Sequence, residues 1–399
     1  AAAFLVRYAP VTQQERWEEN AGYSPSTLAA VISGLLCASE IVSLGGNEAL
    51  GSFYEDYADW IEAHLDEWTT TTEGVLDPDV KYHYMRIRPP APGEPFHNDS
   101  IPVGCIRIAN RGPGEQDVFE AREVIDGGFL ELVRYGVRRA DDPLMVDSIK
   151  VLDKVLKIET PYGPCWRRYN HDGYGQRKDG GPYLGWGQGR AWPIMTGERA
   201  HYELAAGANA TPYIKALEQF SSIGGMLPEQ VWDYADMPSE GLYFGRSAGS
   251  AQPLVWAHAE YVKLLRSVAD GRVFDRISVV EERYAVPKDQ RNFMSRMEIF
   301  QVSRPISAMM QGGSFRIVDA QPFQVTWTVD GWATTIHTQS TVVGPPGSFA
   351  DICISPQTTG TLVFTLYWPG QDKWLGRNVE VSINATPMTA MPAGVKPKS

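Results

Sequence analysis

The sequence predicts a mainly α fold, a helical toroid followed by an antiparallel β-sandwich, and three observations predict it. Apolar residues recur at helical spacing in seven stretches of the first two thirds of the chain. The loops between those stretches are unusually rich in aromatic and charged residues. After about Met297 the pattern changes to alternating apolar and polar residues broken by Pro, Gly and Asp. Helices joined in pairs, with busy loops gathered at one end, describe a toroid better than a compact bundle, and an odd helix count leaves it unclosed. The expected division is residues 1–296 for the helical part, 297–390 for the β-region and 391–399 for a frayed tail.

Taken in order, residues 24–42 (SPSTLAAVISGLLCASEIV) begin with a capping Ser and a Pro and are apolar nearly all round, the pattern of a buried helix. Residues 48–71 place Leu50, Phe53, Tyr57, Trp60, Ile61 and Leu65 at helical spacing among Glu and Asp, an outer amphipathic helix. Residues 74–112 form a long excursion with short β-like pieces, and long ordered excursions tend to carry function. Helices are expected again at 127–135, 143–158, 193–206, 212–220 and 252–268. The strands are FRIVDA, FQVTWTV, TTIHTQSTVV, DICIS, TLVFTLYW and VEVSIN.

Composition narrows the function. A chain of 399 residues with 43% hydrophobic residues can bury a large core. No apolar run approaches the roughly 20 residues that span a bilayer, so no membrane role is expected. The net charge of −12 argues against nucleic acid and anionic lipid as partners and suits a neutral substrate. Cys37, Cys105, Cys165 and Cys353 are widely spaced with no CxxC pair, so no zinc site is indicated; free thiols are expected, with at most one bridge such as Cys105 to Cys165. The first residue is Ala1 and no signal peptide is visible, which reads as a processed or truncated product of a secreted or periplasmic protein.

Two acidic loops stand out. In ERWEENAGYSPST, Trp17 lies among Glu15, Glu18 and Glu19 just before the buried helix; in MLPEQVWD, Glu229 lies among apolar and aromatic neighbours. Glycoside hydrolysis needs one carboxylic acid to protonate the leaving oxygen and, in inverting enzymes, a second carboxylate to activate water from the opposite face. Apolar surroundings would raise the pKa of the acid. The plainer readings are helix capping for Glu18 and Glu19 and a solvated loop carboxylate for Glu229. Between the two loops, WRRYNHDGYG presents Arg168, Asp172 and Tyr174 as donors and acceptors for hydroxyls, or Arg168 and Asp172 as an internal ion pair; Trp192 opens the next helix.

The blocks RWEENAGYSPSTLAA, RRYNHDGYG, GRAWPIMTGERAHYELA, MLPEQVWD and GSAQPLVWAHAEYVKLL occur in order over about 250 residues. Together they resemble the bacterial glucoamylase and glucodextranase family, glycoside hydrolase family 15. The resemblance implies a twelve-helix (α/α)6 barrel, of which this chain would supply helices six to twelve, the C-terminal half of the precursor. It implies Glu18 as general acid and Glu229 as general base. Trp17, Glu19, Arg168, Asp172, Tyr174 and Trp192 would contact substrate. The family's first five helices and N-terminal β-domain have no counterpart here, so a second chain, the N-terminal half of the same precursor, is expected to complete the barrel.

The expected reaction is inverting, exo-acting release of β-glucose from an oligosaccharide or α-glucan, with no metal and no organic cofactor. The α-1,4 and α-1,6 linkages stay level on the sequence. A non-catalytic carbohydrate-binding or interaction protein derived from such an enzyme is the alternative. In the β-region, Trp327, Trp332, Trp368 and Trp374 suit either a carbohydrate-binding module or a structural appendage.

Overall fold

A computed structural model describes residues 1–286 and 296–385. The expected tail, 391–399, lies outside the described residues. Among those described there are nine helices: α1 (Ala2–Tyr8), α2 (Pro25–Leu44), α3 (Glu48–Thr69), α4 (Leu130–Tyr135), α5 (Pro143–Leu156), α6 (Pro193–Ala205), α7 (Thr211–Phe220), α8 (Val255–Asp270) and α9 (Ser278–Tyr284). Seven of them are the expected seven. The two additional helices, α1 and α9, are seven residues each and lie outside the expected stretches.

Helix α2 corrects one expectation. It is 20 residues long with a mean hydropathy of 1.9, long and apolar enough by length and composition to cross a membrane. Its single charged residue and scattered Ser and Thr hide that length from inspection. Leu28, Ala29, Ile32, Leu35 and Leu36 are buried inside the protein, while Ile41 and Leu44 toward its C-terminal end are exposed.

The chain forms two compact units, one comprising Ala1–Pro10, Val31–His64 and Lys288–Ser399, the other Val11–Ala30 and Leu65–Pro287. In the second, the excursion contributes β2 (His83–Tyr84), paired with β1 (Thr70–Thr71) just before it, and β3 (Cys105–Arg107), paired with β4 (Val118–Glu120) just after it. A three-stranded sheet follows, β5 (Lys157–Thr160), β6 (Gly163–Arg167) and β7 (Ala191–Trp192). Helix α5 starts where Asp142 accepts a hydrogen bond from the Leu144 amide at 2.9 Å, with Pro143 in the first turn.

Helix α6 is the centre of this unit. Every residue from Pro193 to Tyr202 is buried, and α4, α7 and α8 pack around it. The approach of α8 is close enough that a Cβ on Gly197 would lie 2.5 Å from Glu260 Cγ, so glycine is required there. Glu260 on α8 takes two hydrogen bonds from Arg134 on α4, at 3.1 and 2.9 Å, and lies 2.7 Å from His201 on α6. Arg134 also reaches Asp275 at 2.6 Å.

The other unit contains two sheets. The first runs β13 (Thr341–Gly344), β14 (Gly347–Cys353), β10 (Ser314–Asp319), β8 (Met297–Phe300). The second runs β12 (Ile336–Gln339), β11 (Gln324–Thr328), β15 (Gly360–Trp368), β17 (Val379–Asn384), β9 (Ala308–Met310), with β16 (Lys373–Trp374) against β15. Both contribute to one core, Phe300, Phe315, Ile317 and Ile352 from the first, Val325, Leu362, Phe364 and Val381 from the second. Pairing is antiparallel apart from β8 with β10 and β9 with β17, which are parallel and so depart from a wholly antiparallel expectation. Tyr57 on α3 donates to the Val6 carbonyl at 2.8 Å, and Arg316 on β10 pairs with both Asp56 and Asp351. Trp327 and Trp368 pack against the core, while Trp332 and Trp374 are exposed.

All four cysteines are free, which removes the Cys105 to Cys165 bridge. Cys165 is fully buried on β6, and burial pushes its thiol up to about 12, while Cys105 sits on β3 in the excursion.

Candidate active site

The chain brings three of the five sequence blocks together through its backbone. In β6 and β7, Trp166 faces Trp192 and Arg167 faces Ala191, and the Val231 amide then donates to the Ala191 carbonyl at 2.9 Å. The loop after Arg167 is thereby held beside the loop carrying Glu229. Buried Asp233 locks the junction by accepting from Arg167 and Arg190, each at 2.7 Å.

Residues 15–20 fold back on themselves around buried Glu15. Its carboxylate accepts from the Trp17 amide at 2.7 Å, the Asn20 amide at 3.4 Å and Arg86 Nη2 at 2.8 Å. Glu18 occupies the tip in the left-handed region, φ 60°, a conformation uncommon for a residue with a side chain and often found at functional sites. Its side chain is exposed. The desolvated setting expected for Glu18 is therefore not supplied by the described residues.

Glu19 is held differently. Its carboxylate accepts from Arg86 at 2.7 Å, from Arg168 at 3.2 Å and from the Tyr169 hydroxyl. The capping reading fails for Glu19, since its partners lie far along the chain rather than at the start of α2. Trp17 is buried, donates from Nε1 to Asp126 at 3.0 Å and lies 5.8 Å from Trp192 and 5.9 Å from Trp256 between ring centroids.

Arg168 joins the two loops. It forms a two-point ion pair with Asp172 at 2.8 and 2.7 Å, so the ion pair weighed from sequence is present. Its guanidinium also lies over the rings of Trp17, Tyr169, Tyr174 and Trp192, at 4.8 to 5.6 Å, which fixes its plane. Asp172 further accepts from the Tyr174 amide at 2.8 Å. A Cβ on Gly189 would lie 2.5 Å from Asp172 Cβ, so Gly189→Ala should displace Asp172 and cost about 1–3 kcal/mol. An unchanged urea midpoint for that variant would show that the loop gives way freely.

The Tyr174 hydroxyl hydrogen-bonds the half-buried Glu229 carboxylate. Burial raises the Glu229 pKa above the ordinary carboxylate value, against the lowering effects of Tyr174 and Arg168. Trp192 is buried at the start of α6, its Nε1 without a hydrogen-bond partner among the described residues. Glu19, Arg168, Asp172, Tyr174, Glu229, Trp17 and Trp192 thus form one connected set, with Glu18 at its open edge.

Several residues of this set escape the sequence reading. Arg16 lies between the rings of Trp17 and Trp256, hydrogen-bonds Glu198 at 3.1 Å and approaches Glu131 at 3.5 Å. Burial raises Asp126 to about 6 and Glu131 to about 7, despite Arg16 beside them. Arg86, which grips Glu15 and Glu19, sits in the strand-like KYHYMRIRP, where Lys81, His83 and Arg88 give it company and nothing local marks it out.

A solvent-facing glutamate at a strained turn, a half-buried glutamate on a tyrosine, and an arginine braced by aromatic rings between them bring carboxylates from two separate loops into one site, and paired carboxylates are the groups that glycoside hydrolysis uses. The chain belongs to glycosyl hydrolases family 15, whose sequence model matches residues 1–266. It is 42% identical over 283 residues to the glucoamylase of Clostridium sp. (strain G0005), a match covering 71% of this chain and 37% of that protein. The crystal structure of bacterial glucoamylase complexed with acarbose superposes with a TM-score of 0.63 at 42% identity, covering 71% of this chain and 39% of that one. The matching region has the glucoamylase fold, an (α/α)6 barrel in this family, accompanied by a sheet-rich region. The chain spans under two fifths of the length of either relative.

Proposed function

We propose that this chain supplies the catalytic carboxylates of an inverting, exo-acting glycosidase that releases β-glucose from the non-reducing ends of α-glucans. The observation that carries the reading is the link from Glu229 through Tyr174 and Arg168 to Glu19, beside Glu18, because it joins two separate acidic loops into one site. Glu18 donates its proton to the glycosidic oxygen as the bond breaks. Glu229, ionised, takes a proton from a water attacking the anomeric carbon from the opposite face, and inversion results. Arg168, Asp172, Glu19, Tyr174 and the Trp17 and Trp192 rings position the sugar.

Residues 1–296 then correspond to helices six to twelve of the barrel, and 297–390 to a β-sandwich appendage. Two features fit a pocket that further barrel helices complete. Glu18 is exposed, and α8 presents Val255, Trp256, Val262 and Leu265 to solvent although its other face is buried. The Trp256 ring lies tilted against that of Trp17, so a helix covering this face would also shield the acid loop. Secretion or a periplasmic location fits a polysaccharide substrate. The exposure of Glu18 also favours a second reading, a carbohydrate-binding protein without turnover.

The test is glucose release from maltotetraose and isomaltotriose by the native preparation with any co-purifying chain, the product anomer read by proton NMR. Release of β-glucose supports the reading and the better substrate assigns the linkage; no release from either moves the weight to the binding protein. A finer expectation concerns pH. The Tyr174 bond lowers the Glu229 pKa, so Tyr174→Phe should raise it, and because the base must be ionised, the acidic limb of kcat/KM should shift to higher pH. A limb that stays put or moves down would remove Glu229 as the base.

A further inference from the structure

Glu18 leaves its turn from a backbone that is fixed. Its amide donates to the Glu15 carbonyl at 2.8 Å and its carbonyl accepts from Gln14 Nε2 at 3.1 Å. Its carboxyl is exposed, so the direction in which it points follows the path of residues 15–19. Whatever holds that path decides where a proton can be delivered.

Arg16 ties the loop to helices. Its side chain, 9% exposed, forms a two-point ion pair with Glu198, one of the two bonds at 3.1 Å, and lies 3.5 Å from Glu131. Glu198 belongs to the wholly buried run of α6, and Glu131 lies in the first turn of α4. The loop's other anchors, Arg86 for Glu15 and Glu19, Arg168 for Glu19 and Asp126 for Trp17, all stand outside helices. A planar guanidinium held at two points on a packed helix resists rotation as well as translation. The same guanidinium lies 4.7 Å from the centroid of the Trp17 ring and 5.7 Å from that of Trp256, so the residue before Glu18 packs against a fixed plane.

We propose that Arg16 is a positioning residue for proton donation: its pair with Glu198 fixes the acid loop so that the Glu18 carboxyl meets the glycosidic oxygen. The inference rests on the reading of Glu18 as the general acid. Arg16 acts through the backbone of Trp17 and Glu18, so its effect belongs to the step in which a proton is delivered and not to the binding of sugar.

The experiment measures kcat and KM in the native preparation, with any co-purifying chain, for wild type, Glu18→Gln, Arg16→Met, Arg16→Lys and Glu198→Gln. The substrates are p-nitrophenyl α-glucoside and whichever of maltose and isomaltose is hydrolysed faster. A departing sugar needs a proton, whereas p-nitrophenolate is a good leaving group and needs little help. Arg16→Met should lower kcat on the disaccharide about 10²-fold with KM within about threefold, and lower it no more than about fivefold on the nitrophenyl substrate. Arg16→Lys, which keeps the charge without the two-point geometry, should recover part of the loss. Glu198→Gln, nearly isosteric, should reproduce the loss more weakly with the guanidinium in place, and these two variants carry the comparison if circular dichroism shows Arg16→Met unfolded. Equal losses on the two substrates, or no loss, in variants that are folded would overturn the positioning role while Glu18→Gln still shows the leaving-group dependence. A Glu18→Gln protein without that dependence, or a wild type that hydrolyses neither substrate, would overturn the acid reading itself and this role with it.

Discussion

Glu229→Gln should lower glucose release by about 10²–10⁴-fold, the range by which a positioned general base accelerates proton transfer. The substitution is nearly isosteric, so the backbone bond from the Glu229 amide to the Ala251 carbonyl at 2.8 Å and the contact with Tyr174 should survive. KM should therefore change little while kcat collapses, since the amide cannot accept a proton from water. Glu18→Gln should match this loss on substrates with a poor leaving group. Steady-state kinetics on the native preparation distinguishes the outcomes: a Glu229→Gln protein that keeps wild-type kcat would place the base elsewhere, with Asp126 and Glu131 the next carboxyls to test. Those two are raised by burial to about 6 and about 7 and lie around Arg16, yet the bond from Trp17 to Asp126 and the approach of Arg16 to Glu131 mark them as supports of the acid loop.

Helix positions were legible in the sequence because α2, α3 and α5 to α8 run for ten residues or more, long enough for apolar spacing to repeat. The six-residue α4 was read from the apolar run around it, while α1 and α9, seven residues each, were not. Strands were legible as alternation, but the parallel pairing of β8 with β10 was not, since a strand's pattern does not record its neighbour's direction. In the site, Arg168, Asp172 and Glu229 stood out through their loops. The parts that were hidden are those made by long-range pairing: Arg86 to Glu15 and Glu19 spans 71 and 67 residues, and Trp17 to Asp126 spans 109. Glu18 shows the opposite limit. Its motif sets an expectation for it, but its exposure depends on what packs over the loop, and local sequence does not carry that.

The largest effect on folding is expected at Glu260. Burial opposes its charge, but Arg134 and His201 more than offset that, holding its pKa down from 4.5 to about 2. A carboxylate with a depressed folded pKa contributes stability that is present above its unfolded pKa and is lost as pH falls through the folded one. For Glu260 that is a loss of about 3 kcal/mol between pH 4.5 and about 2. Glu260→Gln should cost about 3–5 kcal/mol at neutral pH, because Arg134 and His201 are left buried without the carboxylate between α4, α6 and α8. Asp275, 2.6 Å from Arg134, keeps one ion pair and argues for the lower end of that range. Urea titrations at pH 7 and at pH 3 check both halves: the gap between wild type and variant should be wide at the first and narrower at the second. A gap that is absent at pH 7, or unchanged between the two, would mean that the Arg134 network is held together by Asp275 rather than by Glu260.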